Sequence, residues 1–131
     1  MSDTLPYAQA VQALLVIPFV LMGLSHIVQP GMWRAYFTRL HGEGPPAIVT
    51  RTFTLELWPA LLIVVFHRVW SGPAVILTVF GHLLLAKIVI SLLAPQVGLR
   101  SLAMADKGDA GFQVGGLVLV ALGGLCVYLA R

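Results

Sequence analysis

Four long apolar runs, separated by short polar or turn-forming stretches, set the plan of this chain. The first runs from about residue 7 to 29 and holds Leu14-Leu15-Val16-Ile17 and Phe19-Val20-Leu21-Met22 on either side of Pro18. It predicts a membrane-spanning helix with a modest kink, because such helices tolerate proline where neighbours satisfy the freed carbonyl. Pro30-Gly31 ends it. Residues 31–41 are too polar to cross a bilayer, yet Trp33, Tyr36, Phe37 and Leu40 recur at i, i+3, i+4, i+7 while Arg34, Thr38 and His41 take the other side. This pattern predicts a short amphipathic helix lying in the interface, with its rings at headgroup level.

The second span is expected over about 46–67. Its purely apolar part, Leu57 to Phe66, falls far short of the roughly 20 residues needed to cross a hydrocarbon core. The helix must therefore take in Glu56 and, with it, Arg51. His67 to Pro73 then reads as a tight turn with Trp70 at the far interface. The third span, about 73–94, has Pro73 in its first turn, where the missing N–H costs nothing; it carries His82, Lys87 and Ser91, and Pro95 closes it. One or two surface helical turns are expected in the loop to about Gly108. The fourth span, about 110–130, has Gly111 and Gly115 as a GxxxG pair and Gly116 and Gly123 seven residues apart, with Gly124 beside them. Such a stripe lets helix backbones approach closely where lipid supplies no hydrophobic drive. Whether it meets another span or a second copy stays open. The fold class expected is all-α: an integral membrane four-helix bundle with a short interfacial amphipathic helix after the first span, residues 1–131 forming one domain.

Composition agrees with that plan. The chain is 59% hydrophobic and only 10% charged, against roughly 25% charged in soluble domains. A domain of this size has too little interior to hide so much apolar surface, so the excess must face lipid. The net charge of +3 comes with no basic run, which excludes a nucleic-acid footprint. A single cysteine, Cys126, allows no intrachain disulfide and is expected as a small buried hydrophobe. No basic residue precedes the first apolar run, so the first span is expected to be retained and not cleaved as a signal peptide.

Four spans put both termini on one side. The loops on the other side hold Arg34, Arg39, Arg100 and Lys107, with Arg51 at the edge, against Arg68 and Arg131 on the terminal side. The positive-inside bias then predicts a multi-pass protein of the cell inner (plasma) membrane with its termini outside.

The candidate chemistry starts from Glu56. A charge within a membrane helix costs roughly 2.5–3.5 kcal/mol on insertion scales unless it is paired or wetted. Lys87, the only lysine inside an apolar run, is the residue expected to answer it. Counting along the spans puts Glu56, Lys87, Arg51, Thr52, Ser91 and His26 in the cytoplasmic half, with Gln113 opening the fourth span on that side and the outer half nearly bare. Two readings stand together. In one, Glu56 and Lys87 are a buried pair, with Thr52 or Ser91 filling the remaining hydrogen bonds, and simply fix helix register. In the other, the cluster is a site for a proton, an anion or the head of an amphipathic small molecule. His82 is a further candidate, but five residues separate it from Lys87, about 140° around a helix, so the two cannot face one pocket; it reads as a hydrogen-bonded interior histidine. No two histidines are level enough for a bis-histidine haem and no spacing makes a metal site, so no cofactor is expected. No Ser/His/Asp arrangement, phosphate loop or dinucleotide fingerprint is present.

The stretch Gly23-Leu-Ser-His26-Ile-Val-Gln-Pro30, Gly-x-x-His-x-x-x-Pro at the end of a first span, resembles the DoxX-like group of small four-span proteins. His67-Arg-Val-Trp70 through Gly81 and Lys87 to Pro95 is similar to small bacterial membrane proteins with a Gly and a Lys in their third span, with His82 where those sequences often carry a tryptophan. The resemblance implies a four-helix membrane bundle, sometimes a subunit of a quinone-linked oxidoreductase, and it carries over no catalytic residue. The function expected is a non-catalytic membrane component or small-molecule-binding subunit, acting in the lipid bilayer with a partner or as a homo-oligomer. A small proton-coupled transporter working as a homo-oligomer and a membrane subunit of a quinone-linked oxidoreductase remain as alternatives.

Overall fold

The computed structural model describes residues 5–103 and 108–131. In chain order the helices are α1 (Leu5–Val28), α2 (Pro30–Glu43), α3 (Pro46–Arg51), a π turn (Thr52–Glu56), α4 (Leu57–Phe66), α5 (Val75–Leu93), α6 (Pro95–Ala103) and α7 (Ala110–Ala130). Three of them begin on a proline, whose absent N–H is one the helix start cannot bond anyway. Pro95 thus both closes α5 and opens α6. The spans Tyr7–Val28, Pro46–Phe66, Val75–Leu93 and Ala110–Ala130 are long and apolar enough to cross a membrane. Side chains such as Ile17, Leu21, Leu83 and Leu93 stay exposed along them, as lipid-facing positions must. The chain is an integral membrane protein with an all-α architecture.

α3, the π turn and α4 form one continuous span. The π turn has a chemical cause in Pro59, which offers no N–H to the Leu55 carbonyl and whose ring would collide with it in a regular helix. The backbone widens instead: Leu57 N–H reaches back to Thr52 O, and Glu56 sits at φ −115°.

The bundle consists of two close pairs, α1 with α7 and α4 with α5. A Cβ on Gly116 would meet Gly23 O at 2.6 Å, and a Cβ on Gly123 would meet the Val20 side chain at 2.5 Å, so these two glycines are where α7 touches α1. The stripe therefore meets a span of the same chain, and it is narrower than its composition suggests. Gly111, Gly115 and Gly124 have nothing within 4 Å of an added Cβ, because Gly115 and Gly124, one position away from 116 and 123, lie about 100° off the contact line and Gly111, five positions from 116, about 140°. Gly81 of α5 plays the corresponding part against Ile63 of α4.

Val11, Leu15, Ile63, Leu77, Leu122 and Cys126 pack with Phe19 as the main core, at the end of the bundle that carries the C-terminus and the 67–74 turn. A second cluster, Leu40, Ala47 and Ile48 with Leu99 against it, ties α2, α3 and α6 together at the other end. α2 is longer than its expected 31–41 and its aromatic stripe is turned onto the bundle. Trp33 Nε1 donates to Ser25 Oγ at 2.8 Å, Trp33 stacks on His26 with centroids 4.3 Å apart, and Phe37 stacks on Phe112 at 5.5 Å. An indole N–H needs an acceptor, and Ser25 supplies one that lipid would not.

Candidate functional site

The π turn decides the site's geometry. In a regular α-helix residues 51 and 56 would diverge by about 140°, whereas the i→i+5 pattern of a π turn stacks them one turn apart. Arg51 Nε accordingly lies 3.3 Å from Glu56 Oε1. On the opposite carboxylate oxygen, Lys87 Nζ of α5 donates to Glu56 Oε2 at 2.5 Å. Arg51 is fixed from behind by two further donations, Nη2 to Ser91 Oγ at 3.3 Å and Nη1 to Gly98 O at 3.5 Å. The second contact depends on Gly98 having no side chain, since a Cβ there would stand 2.7 Å from Ile48 Cδ1 and 3.2 Å from Ser91 Cβ.

The triad lines an open-sided cavity of about 440 Å³ bounded by the four spans and α2. Phe19 of α1, Trp33 and Phe37 of α2, Trp58 of α4, Phe80 of α5 and Leu119 of α7 supply much of its wall. Arg51 and Glu56 are buried at 3% and 8% exposure, while the Lys87 side chain is 45% exposed at the open side. Arg51 Nε and Glu56 Oε1 approach as ions without hydrogen-bond alignment, and neither atom has another partner among the described residues. Two cations and one carboxylate leave a single positive charge over.

Sequence reasoning named eight residues, and the structure sorts them. Glu56, Lys87, Arg51 and Ser91 form one connected cluster. His26 lines the same cavity but does not touch the triad: its Nδ1–H donates to Met22 O at 2.8 Å, leaving Nε2 as the lone-pair nitrogen. Thr52 is fully buried beside the cluster with an unpartnered hydroxyl, and Ser91, the other residue expected to fill the hydrogen bonds of the Glu56–Lys87 pair, accepts from Arg51 instead. Gln113 is exposed and away from the cavity. The cavity face of α7 is Gly115, Val118 and Leu119, and two residues from Gly115 is about 200° around the helix. His82 corrects a further expectation. It is not interior but lies on the outer face of α5, its Nδ1 2.9 Å from Thr78 O and its ring 5.1 Å from that of Trp70.

The half of the bundle that carries the C-terminus, expected to be the outer and nearly bare one, is not bare. Thr78 Oγ1 donates to Val69 O at 2.6 Å, so it accepts from His67 Nδ1–H at 2.9 Å. His67 Nε2 then accepts from Gln12 Nε2 at 2.9 Å. All three residues are buried, His67 fully. His67 reads as a turn residue in the sequence, and the signal that was available is its place at the end of α4, where the ring can fold inward under the 67–74 turn. The core cluster of Leu15, Ile63 and Leu77 fills the bundle at this end. Among the described residues no group of three or more His, Cys, Asp and Glu could hold a metal ion.

No family model matches the chain, and neither a curated protein nor a solved structure is similar to it. The DoxX-like resemblance of the Gly23–Pro30 stretch has no match to support it.

Proposed function

We propose that this protein is a non-catalytic membrane component that binds an amphipathic small molecule in the cavity between its four spans. The observation that carries the reading is the combination of an aromatic-walled cavity of about 440 Å³ with an ion triad in its wall. Small-molecule sites commonly occupy roughly 300–1,000 Å³ with mostly apolar walls and a few placed polar groups. A pair serving helix register alone would be enclosed by packing, whereas Arg51, Glu56 and Lys87 all line open volume. The two charged or polar clusters, at opposite ends of the bundle, have the apolar core at Leu15, Ile63 and Leu77 beside the outer one, which favours binding over a proton path across the membrane. The cations Arg34, Arg39 and Arg100 on the α2 and α6 side favour an inner-membrane orientation with both termini outside.

Gly115→Phe tests the reading. It lines the cavity with free space around its Cα, so a phenyl ring there fills the volume without disturbing the contact of α7 with α1. Native mass spectrometry after mild extraction should find a bound small molecule on the wild type and none on Gly115→Phe at equal thermal stability. Identical spectra from both would count against the cavity as a binding site.

A further inference from the structure

The charge left over in the cavity specifies the ligand's head. Arg51 and Glu56 are each more than nine-tenths buried, and their facing atoms Nε and Oε1 have no hydrogen-bond partner. Lys87 spends one of its three N–H donors on Glu56 Oε2, leaving two. An excess cation in a low-dielectric, aromatic-walled space calls for a counter-anion. Resting on the reading of this cavity as a binding site, we infer that its ligand is a single-chain amphiphile with one negative charge, its head held by the exposed Lys87 ammonium, with the Arg51 charge behind it, and its apolar chain laid against Phe80, Trp58 and Leu119. A cationic head would bring a third positive charge to a site with one carboxylate. A volume of about 440 Å³ lies at the small end of the usual roughly 300–1,000 Å³ range, which suits one chain better than the two of a phospholipid. Glu56 keeps the two cations together when the site is vacant and limits the head to a monoanion when it is filled.

The experiment is a quenching titration of the full-length protein in phosphatidylcholine nanodiscs, since Trp33 and Trp58 both line the cavity. The probes are dibrominated stearate, its methyl ester and the matching brominated alkylamine. Stearate should quench saturably and lose that component in Gly115→Phe, with the ester about tenfold weaker or more. Lys87→Gln should bring acid and ester together, and Glu56→Gln should tighten the acid. The comparison of acid with ester on the wild type needs neither charge variant, so it stands even if both fold poorly. Equal Gly115-sensitive affinity for acid and ester, or a preference for the amine, would overturn the anionic head while leaving the site itself intact. Absence of any Gly115-sensitive quenching would sink both readings. Gly115-sensitive quenching by dibrominated phosphatidylglycerol that oleate cannot displace would place the charge on a lipid headgroup and overturn the single-chain assignment.

Discussion

Gly23 of α1 and Gly116 of α7 face each other so closely that a Cβ on either would stand 2.6 Å from the carbonyl oxygen of the other. Backbone cannot yield as a flexible side chain can, so bulk at this crossing must push the helices apart. Overpacking of this kind costs about 1–3 kcal/mol or more. Gly116→Leu and Gly123→Leu should both lower the thermal unfolding temperature in detergent, and Gly115→Leu should leave it nearly unchanged. Three equal losses would mean that the α1–α7 crossing is not where the glycines act.

The Gln12–His67–Thr78 chain should behave as a hydrogen-bond network with a direction. Thr78→Val removes the acceptor of His67 Nδ1–H and the hydroxyl bonded to Val69 O, leaving buried groups unpaired at about 1–3 kcal/mol. Gln12→Leu removes one donor and also the Gln12 Oε1 that has no partner, so it should cost less. Thermal denaturation of the two variants checks the order; a neutral Thr78→Val would show that the network does not hold the 67–74 turn.

Orientation is open to reporter fusions that are active only outside the cytoplasm. They should work at Arg131 and near Ser71, and fail near Gly44 and near Asp106, the last of which lies outside the described residues, as does Lys107. The reverse pattern would invert the orientation, and the same activity at two successive points along the chain would contradict four spans.

What could be read from the sequence was whatever depends on hydrophobic run length. Four spans and the helix after the first follow from it, as does the conclusion that Glu56 lies within the second span. The Lys87 contact followed because only one lysine sits inside an apolar run. The limits arose where local backbone or rotation about a helix decides. Pro59 was visible, but the π turn that brings Arg51 onto the face of Glu56 is a response of the chain to Leu55 losing its partner, and no residue type marks it. Gly98 could be seen only as a loop glycine until α6 packed it on Ile48 and Ser91. Gln113 and Gly115 are neighbours in sequence, and a 200° rotation separates a lipid-side amide from a cavity wall.

The central claim is that the Arg51–Glu56–Lys87 cavity is a binding site and not only a register pin, and a double-mutant cycle with ligand occupancy as second readout separates the two. Glu56→Gln should destabilise, by up to about 3–5 kcal/mol where burial is complete, because it leaves Arg51 and Lys87 as two facing cations without a carboxylate; Lys87→Met should cost less, because Arg51 still answers Glu56. The double variant should recover part of the Glu56→Gln loss, because it removes one of the two facing cations, as expected for groups in contact, while Arg51 stays buried without its carboxylate. Thermal stability and the amount of co-purified small molecule, measured by mass spectrometry on the same preparations, should then part company: the double variant folds but comes out empty. A double variant that regains stability and still carries the wild-type amount of ligand would contradict the account, and would leave the triad as a pair that sets helix register.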